Sequence, residues 1–187
     1  LYDSQIKEVD QLNNERIKYD KKTLKAFKEE FDIYLIGRIV AFQDPLFSRK
    51  YPESAIIDIA TNSPYFQNGQ YFLDPSDNKS REYILNIAVE ACLLGFDEIQ
   101  FDYIRYPDTS YQGLIYDEKS NFENRTNNVN SFLQNATDLL HDIGCLTSAD
   151  IFGYVLNAKN DNGIGQYLET IVSTVAVSYT HLRAHET

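Results

Sequence analysis

Gly95 to Pro107 reads GFDEIQFDYIRYP, and the reading of this stretch decides the fold. A glycine is a common stop just past the end of a helix. The residues that follow, with β-branched and aromatic side chains alternating with polar ones, have the pattern of a strand. Alternation predicts a strand over Glu98 to Ile104 with Ile99, Phe101 and Tyr103 on one face and Glu98, Gln100, Asp102 and Ile104 on the other. The apolar set suits a helical layer and the polar set an interior. A carboxylate in the last residues of such a strand is costly to bury without a role or a partner.

Working outward, the same unit repeats. Asp77 is a good N-cap, and Ile84, Ile87, Ala88 and Ala91 mark one apolar face of a helix running to Gly95. Upstream, a charged helix with Leu24, Phe27 and Phe31 at helical spacing precedes the strand-like run YLIGRIVAF, residues 34–42. A long irregular segment, roughly Gln43 to Pro75, follows that run. Downstream, the loop Pro107 to Glu123 leads to a helix carrying Val129, Phe132, Leu133, Ala136, Leu140 and Ile143, which stops at Gly144. A strand over Cys145 to Ile151, a polar loop, a helix near Gln166 to Val172 and a last strand from about Ser173 complete the order. Links from helix to strand are short and links from strand to helix are long. That asymmetry predicts an α/β chain forming part of a (β/α)8 TIM-type barrel, whose long loops build the site. A doubly wound sheet is the alternative, although the strands carry none of its Gly-rich phosphate turns.

The predicted interior faces carry the chemistry. Asp102 ends one interior row. In LTSADIFG, Leu146, Ser148 and Asp150 share a face, so Asp150 ends another. In the first strand Ile36, Arg38 and Val40 share a face, and a buried Arg38 between strands would hold a carboxylate through its planar fork or bind substrate. Two carboxylates on adjacent barrel strands suit glycoside hydrolysis, one as nucleophile or base and the other as acid. Tyr65, Phe66, Tyr71, Phe72, Tyr103, Tyr106 and Tyr111 are candidates for stacking against sugars. Two readings compete: a non-catalytic barrel that binds polysaccharide, and a hydrolase using Asp44, Asp74, Asp102 and Asp150 around a divalent ion.

Composition narrows the partners. The 187 residues suit one domain, and a net charge of −11 disfavours nucleic acid and anionic membranes while leaving uncharged substrates compatible. No run is long and apolar enough to suggest a membrane span, and no cofactor is implied. Cys92 and Cys145 read as separate buried, apolar residues. His141, beside Asp142 on a helix, reads as a solvated surface residue.

At these residues the chain resembles a bacterial family of glycoside-hydrolase type with a barrel fold. The resemblance rests on GRIVAFQDPL (Gly37 to Leu46), FLDPS (Phe72 to Ser76), GFDEIQFDYIRYP, SADIFG (Ser148 to Gly153) and NGIGQ (Asn162 to Gln166), in order from about Tyr34 to Val175. It implies a (β/α) barrel acting on a polysaccharide. Asp102 and Asp150 would be catalytic, and Arg38, Arg105, Asp74, Tyr103 and Tyr106 would bind substrate. An extracellular or cell-surface location is expected, and oligomeric state is left open.

The stretch Val177 to Thr187, VSYTHLRAHET, resembles a translated sequencing-library adapter. Residues 1–176 are therefore read as the barrel portion and 177–187 as a non-native tail, which would remove His181 and His185 from consideration. With Leu1 first and no Met in the chain, the sequence reads as a fragment, expected to be inactive alone.

Overall fold

Asp77 and Gly95 bound a helix as the sequence predicts. The Asp77 carboxylate accepts the Ser80 N–H at 2.7 Å, and Gly95 closes the far end in a left-handed conformation (φ 115°) that suits a residue without Cβ. A computed structural model of the protein describes residues 4–11, 21–175 and 177–181. In chain order its elements are α1 (Lys7–Gln11), α2 (Lys21–Phe31), β1 (Ile36–Val40), α3 (Pro45–Lys50), β2 (Ile57–Asp58), β3 (Ser63–Pro64), β4 (Phe66–Gln67), β5 (Gln70–Tyr71), α4 (Asn78–Leu94), β6 (Glu98–Asp102), β7 (Leu114–Ile115), α5 (Phe122–His141), β8 (Leu146–Phe152), α6 (Leu168–Ile171) and β9 (Val177–His181).

The main sheet is parallel, in the order β1-β6-β8-β9. That order follows the chain without reversal. A doubly wound sheet reverses its order at a switch point, so the architecture is the partial (β/α)8 barrel expected. Ile99, Phe101, Ala149 and Ile151 pack into the core with Ile84, Ala88, Phe132, Leu133, Ala136 and Leu140 from α4 and α5. Phe132 lies edge-on to both Phe42 and Phe101, with ring centroids 5.0 and 5.3 Å away. On the opposite, interior face Ile36 and Val40 of β1 and Leu146 at the start of β8 are exposed, while Glu98, Asp102, Ser148 and Asp150 are buried.

The segment read as irregular is more ordered than expected. α3 starts at Pro45, and Asp44 caps it by accepting the N–H groups of Leu46 and Phe47 at 2.8 and 2.9 Å. A three-stranded sheet, β3-β2-β7, joins this segment to the loop after β6 through Ile57↔Ile115 and Asp58↔Leu114. Such two-residue pairings carry too few alternating positions to show in a sequence pattern. The last strand begins at Val177 rather than near Ser173, and α6 is a single turn. The stretch read as a non-native tail thus opens with residues paired to β8, and its remainder, 182–187, lies outside the described residues.

The cysteine reading is corrected. Cys92 and Cys145 form a disulfide, with Cα atoms 6.0 Å apart. Cys92 sits in the last turn of α4 and Cys145 just ahead of β8. In a parallel β/α layer every helix ends, and every next strand begins, on the same rim, so residues far apart in sequence meet there. At this rim Asp97 accepts Lys28 Nζ at 2.5 Å and the Leu35 N–H at 2.8 Å. Burial would raise its pKa, but these donors outweigh it and hold the carboxyl below its usual range.

The bridge closes a loop spanning 53 residues, for which chain entropy gives an upper value of about 4 kcal/mol. Cys92→Ser/Cys145→Ser is expected to lose about 2–4 kcal/mol in chemical denaturation. Equal midpoints for the parent and the double variant would show that the bridge contributes nothing.

Candidate active site

The strand β6 ends in an unusual backbone. Tyr103, a non-glycine residue, has φ 53°, and such a conformation is held only where its surroundings impose it. Here the Tyr103 N–H turns back to donate to Asp102 Oδ1 at 2.7 Å, and Asp102 Oδ2 pairs with Arg38 Nη2. Asp102 is 8% exposed. The expected buried Arg38 is not found: its side chain is 52% exposed, on the face of β1 whose Ile36 and Val40 are also exposed. Tyr103, expected to face the helices, leaves that alternation where the strand stops.

Asp150 is more enclosed, at 3% exposure. Gln100 Nε2 donates to its Oδ1 at 2.7 Å. Its backbone carbonyl accepts Gln166 Nε2 at 3.0 Å, while Gln166 Oε1 accepts the Phe152 N–H at 3.0 Å. One buried amide thus stands in for a neighbouring strand at the end of β8. The register of β6 and β8 pairs Gln100 with Ser148 and Phe101 with Ala149. The pairing ends at Phe101 and Ala149, and Asp102 and Asp150 are the residues that follow on the two strands. Below them Glu98 accepts from Ser148 Oγ and from Tyr34 OH.

Arg105 stands beside this pair. Its guanidinium lies 4.7 Å from the Phe152 ring and 5.4 Å from the Tyr103 ring, its Nη1 donates to the Tyr106 carbonyl at 3.0 Å, and its Nε is buried with no partner. Burial lowers its pKa from the ordinary arginine value, against the charge of Asp108. Tyr154, stacked on Phe152, is pushed up to about 12 by burial and by Asp108.

Two other expected residues, Asp74 and Tyr106, are tied into the surrounding loops. Asp74 is buried and accepts from Ser76 N–H, Ser76 Oγ and Asp117 N–H at 2.8, 2.6 and 2.7 Å, tying together the loops after β1 and β6. Burial raises its pKa. Tyr106 is buried edge-on to Tyr116, and its hydroxyl accepts from Asn128 Nδ2 at 3.0 Å. Burial pushes that phenol above its usual range. The set Asp44, Asp74, Asp102 and Asp150 does not assemble, and among the described residues no three His, Cys, Asp or Glu side chains could hold a metal ion. Of the stacking candidates, Tyr65, Phe72 and Tyr106 are buried, Tyr71 and Tyr103 half-buried, and Phe66 and Tyr111 exposed.

Gln100, Glu98, Ser148 and Gln166 were missed as site residues. The first three lie on the predicted interior rows, and Gln166 lies in the NGIGQ motif. In that motif Gly165 is left-handed (φ 80°), and a Cβ there would meet Val129 at 2.8 Å and the Arg125 carbonyl at 2.9 Å.

The family model described as "Putative glycosyl hydrolase domain" matches residues 1–179. The chain belongs to that family. It is also similar to a solved hypothetical protein from Ruminiclostridium thermocellum, at 36% identity over 80% of this chain and 75% of that one, with a TM-score of 0.67. The glycoside hydrolase domain of PelA from Pseudomonas aeruginosa shares the fold at 12% identity and a TM-score of 0.56, over 96% of this chain and 64% of that one. Aspergillus fumigatus Ega3, solved with galactosamine, does so at 14% identity and 0.54, over 87% and 56%. The chain therefore spans under two thirds of these two structures. A comparison with curated proteins finds no match. Among the described residues no helix is long and apolar enough to cross a membrane.

The loop carrying Gln166 is held by Asp161, which accepts Arg125 Nε and Nη2 at 2.6 and 2.9 Å and the Gly165 N–H at 2.9 Å. Burial would raise the Asp161 pKa, but these donors prevail and hold it below the usual 3.8. A lowered folded pKa means that its stabilisation is present above the unfolded value and lost as pH falls through the folded one. Asp161→Asn is expected to cost about 3 kcal/mol at pH 7. Melting curves of parent and variant should then approach each other as pH falls below 3.8. A constant gap across that range would exclude this role.

Proposed function

We propose that the protein is a glycoside hydrolase acting on a polysaccharide, with Asp102 and Asp150 as its carboxylate pair. The observation that carries this reading is the β6–β8 register, after whose last pair Asp102 and Asp150 follow at strand ends on the loop-bearing rim. Active sites of such barrels sit on that rim. A nucleophile role for Asp102 implies a retaining mechanism, which needs the two carboxyl groups roughly 5–5.5 Å apart.

Asp102 is fixed in orientation by Arg38 and the Tyr103 N–H, the setting of a nucleophile aimed at an anomeric carbon. Asp150, deeper and oriented by Gln100, is placed to protonate the leaving oxygen and then to take a proton from the attacking water. Arg38 and Arg105 orient these groups or the substrate, and Tyr103 contributes a stacking face. Asp74 and Tyr106, both buried, act on substrate through the loops they hold.

A purely sugar-binding barrel is the second reading. It is favoured by the engagement of both Asp102 carboxylate oxygens within the protein. Asp102→Asn separates the two. Polysaccharide turnover, measured as reducing ends in the full-length protein, should fall at least about 100-fold with little change in KM. Unchanged turnover would remove Asp102 from the chemistry, and no turnover in the parent would favour the binding barrel. NMR of the first-formed anomer should show retention, and the opposite anomer would reject the nucleophile role.

A further inference from the structure

The loop after β1 builds a cleft that the carboxylate pair does not use. β4 and β5 form a hairpin through Asn68 and Gly69, both left-handed (φ 52° and 83°), with Phe66 opposite Tyr71. This two-residue turn matches the twist of its strands and holds the pair firmly. The Phe66 and Tyr71 rings lie 4.9 Å apart, and the Arg49 guanidinium of α3 sits 5.3 Å from the centre of the Tyr71 ring. Phe66 is 55% exposed. With Asp58, Thr61 and Ser63 these residues line a cleft of about 440 Å³, within the roughly 300–1,000 Å³ of small-molecule sites.

The lining has a particular chemistry. An aromatic pair, Phe66 exposed and Tyr71 half-buried, offers an apolar platform, while hydroxyls, a guanidinium and a carboxylate surround it. The Asp58 carboxylate is fixed, since its Oδ1 accepts from Tyr111 OH at 2.8 Å and from the Ala60 N–H at 2.9 Å. A pyranose has the complementary shape, with C–H groups on one face for a ring and hydroxyls around its edge. Arg49 and Asp58 balance in charge, and the chain carries −11 overall; both disfavour an anionic polymer. Because β2 pairs with β7, the cleft belongs to loops on the same rim as Asp102.

We propose that this cleft is a second saccharide site, binding a neutral oligosaccharide stretch on the platform of Phe66 and Tyr71. The choice of a sugar rests on the carbohydrate-active reading above; the position and charge of the site rest on the cleft itself. The test uses the full-length protein carrying Asp102→Asn, so that bound sugar is not turned over. Stachyose, maltotetraose and cellotetraose are titrated and followed by calorimetry and saturation-transfer NMR. At least one should bind, and adding Phe66→Ala should weaken it tenfold or more, with Arg49→Ala weakening it less. Both substitutions are at exposed positions, and a thermal melt verifies that each variant is folded. Affinity unchanged by Phe66→Ala, or no binding of any of the three, overturns the proposal. Failure of the catalytic reading shows separately, as turnover that persists in Asp102→Asn alone.

Discussion

β6 is hydrogen-bonded on both sides. It pairs with β1 through Arg38↔Gln100 and Val40↔Asp102, and with β8 through Gln100↔Ser148 and Phe101↔Ala149. Side chains alternate along a strand, so a slip of one residue would turn Asp102 toward the helices and Phe101 toward the interior. Burial of Ile99 and Phe101 under α4 and α5 forbids that slip. The position of the carboxylate is therefore set by the apolar residues on either side of it in sequence. Arg38, Gln100, Ser148 and Asp150 inherit their places from the same register.

Much of this arrangement was legible before any coordinates. The caps Asp77 and Gly95, the apolar spacing in α4 and α5, and the alternation in β6 and β8 are local signals, and each tells its face by repetition. Short links on one rim and long links on the other told the barrel topology. The rows Glu98-Gln100-Asp102 and Ser148-Asp150 are visible too, although only the strand-end carboxylates Asp102 and Asp150 stand out in them. An amide that orients a carboxylate, as Gln100 does, has no pattern of its own.

What was not legible depends on distance in space. The Cys92–Cys145 bridge joins residues that only the parallel layering brings to one rim. The exposure of Arg38 depends on the packing around β1, which the alternation of its own strand does not report. Asp74 and Tyr106 stand in motifs that look functional, and the fold also uses them to hold loops: Asp74 through two backbone N–H groups, Tyr106 through Asn128. A motif records that a residue matters to the fold or to its chemistry, and only geometry separates the two.

The pairing of β2 with β7 has a consequence for how such a protein can change over generations. The two strands come from different loops, one after β1 and one after β6, and Ile57↔Ile115 and Asp58↔Leu114 bind them into one small sheet. Loops on a barrel rim ordinarily lengthen or shorten independently, which is how one scaffold acquires many specificities. Here an insertion in either loop must preserve the shared edge or be matched in the other. Variation in this rim is therefore expected to travel as linked pairs, with residues near 57–58 and 114–115 drifting in concert while the tip at Asn68-Gly69 drifts alone.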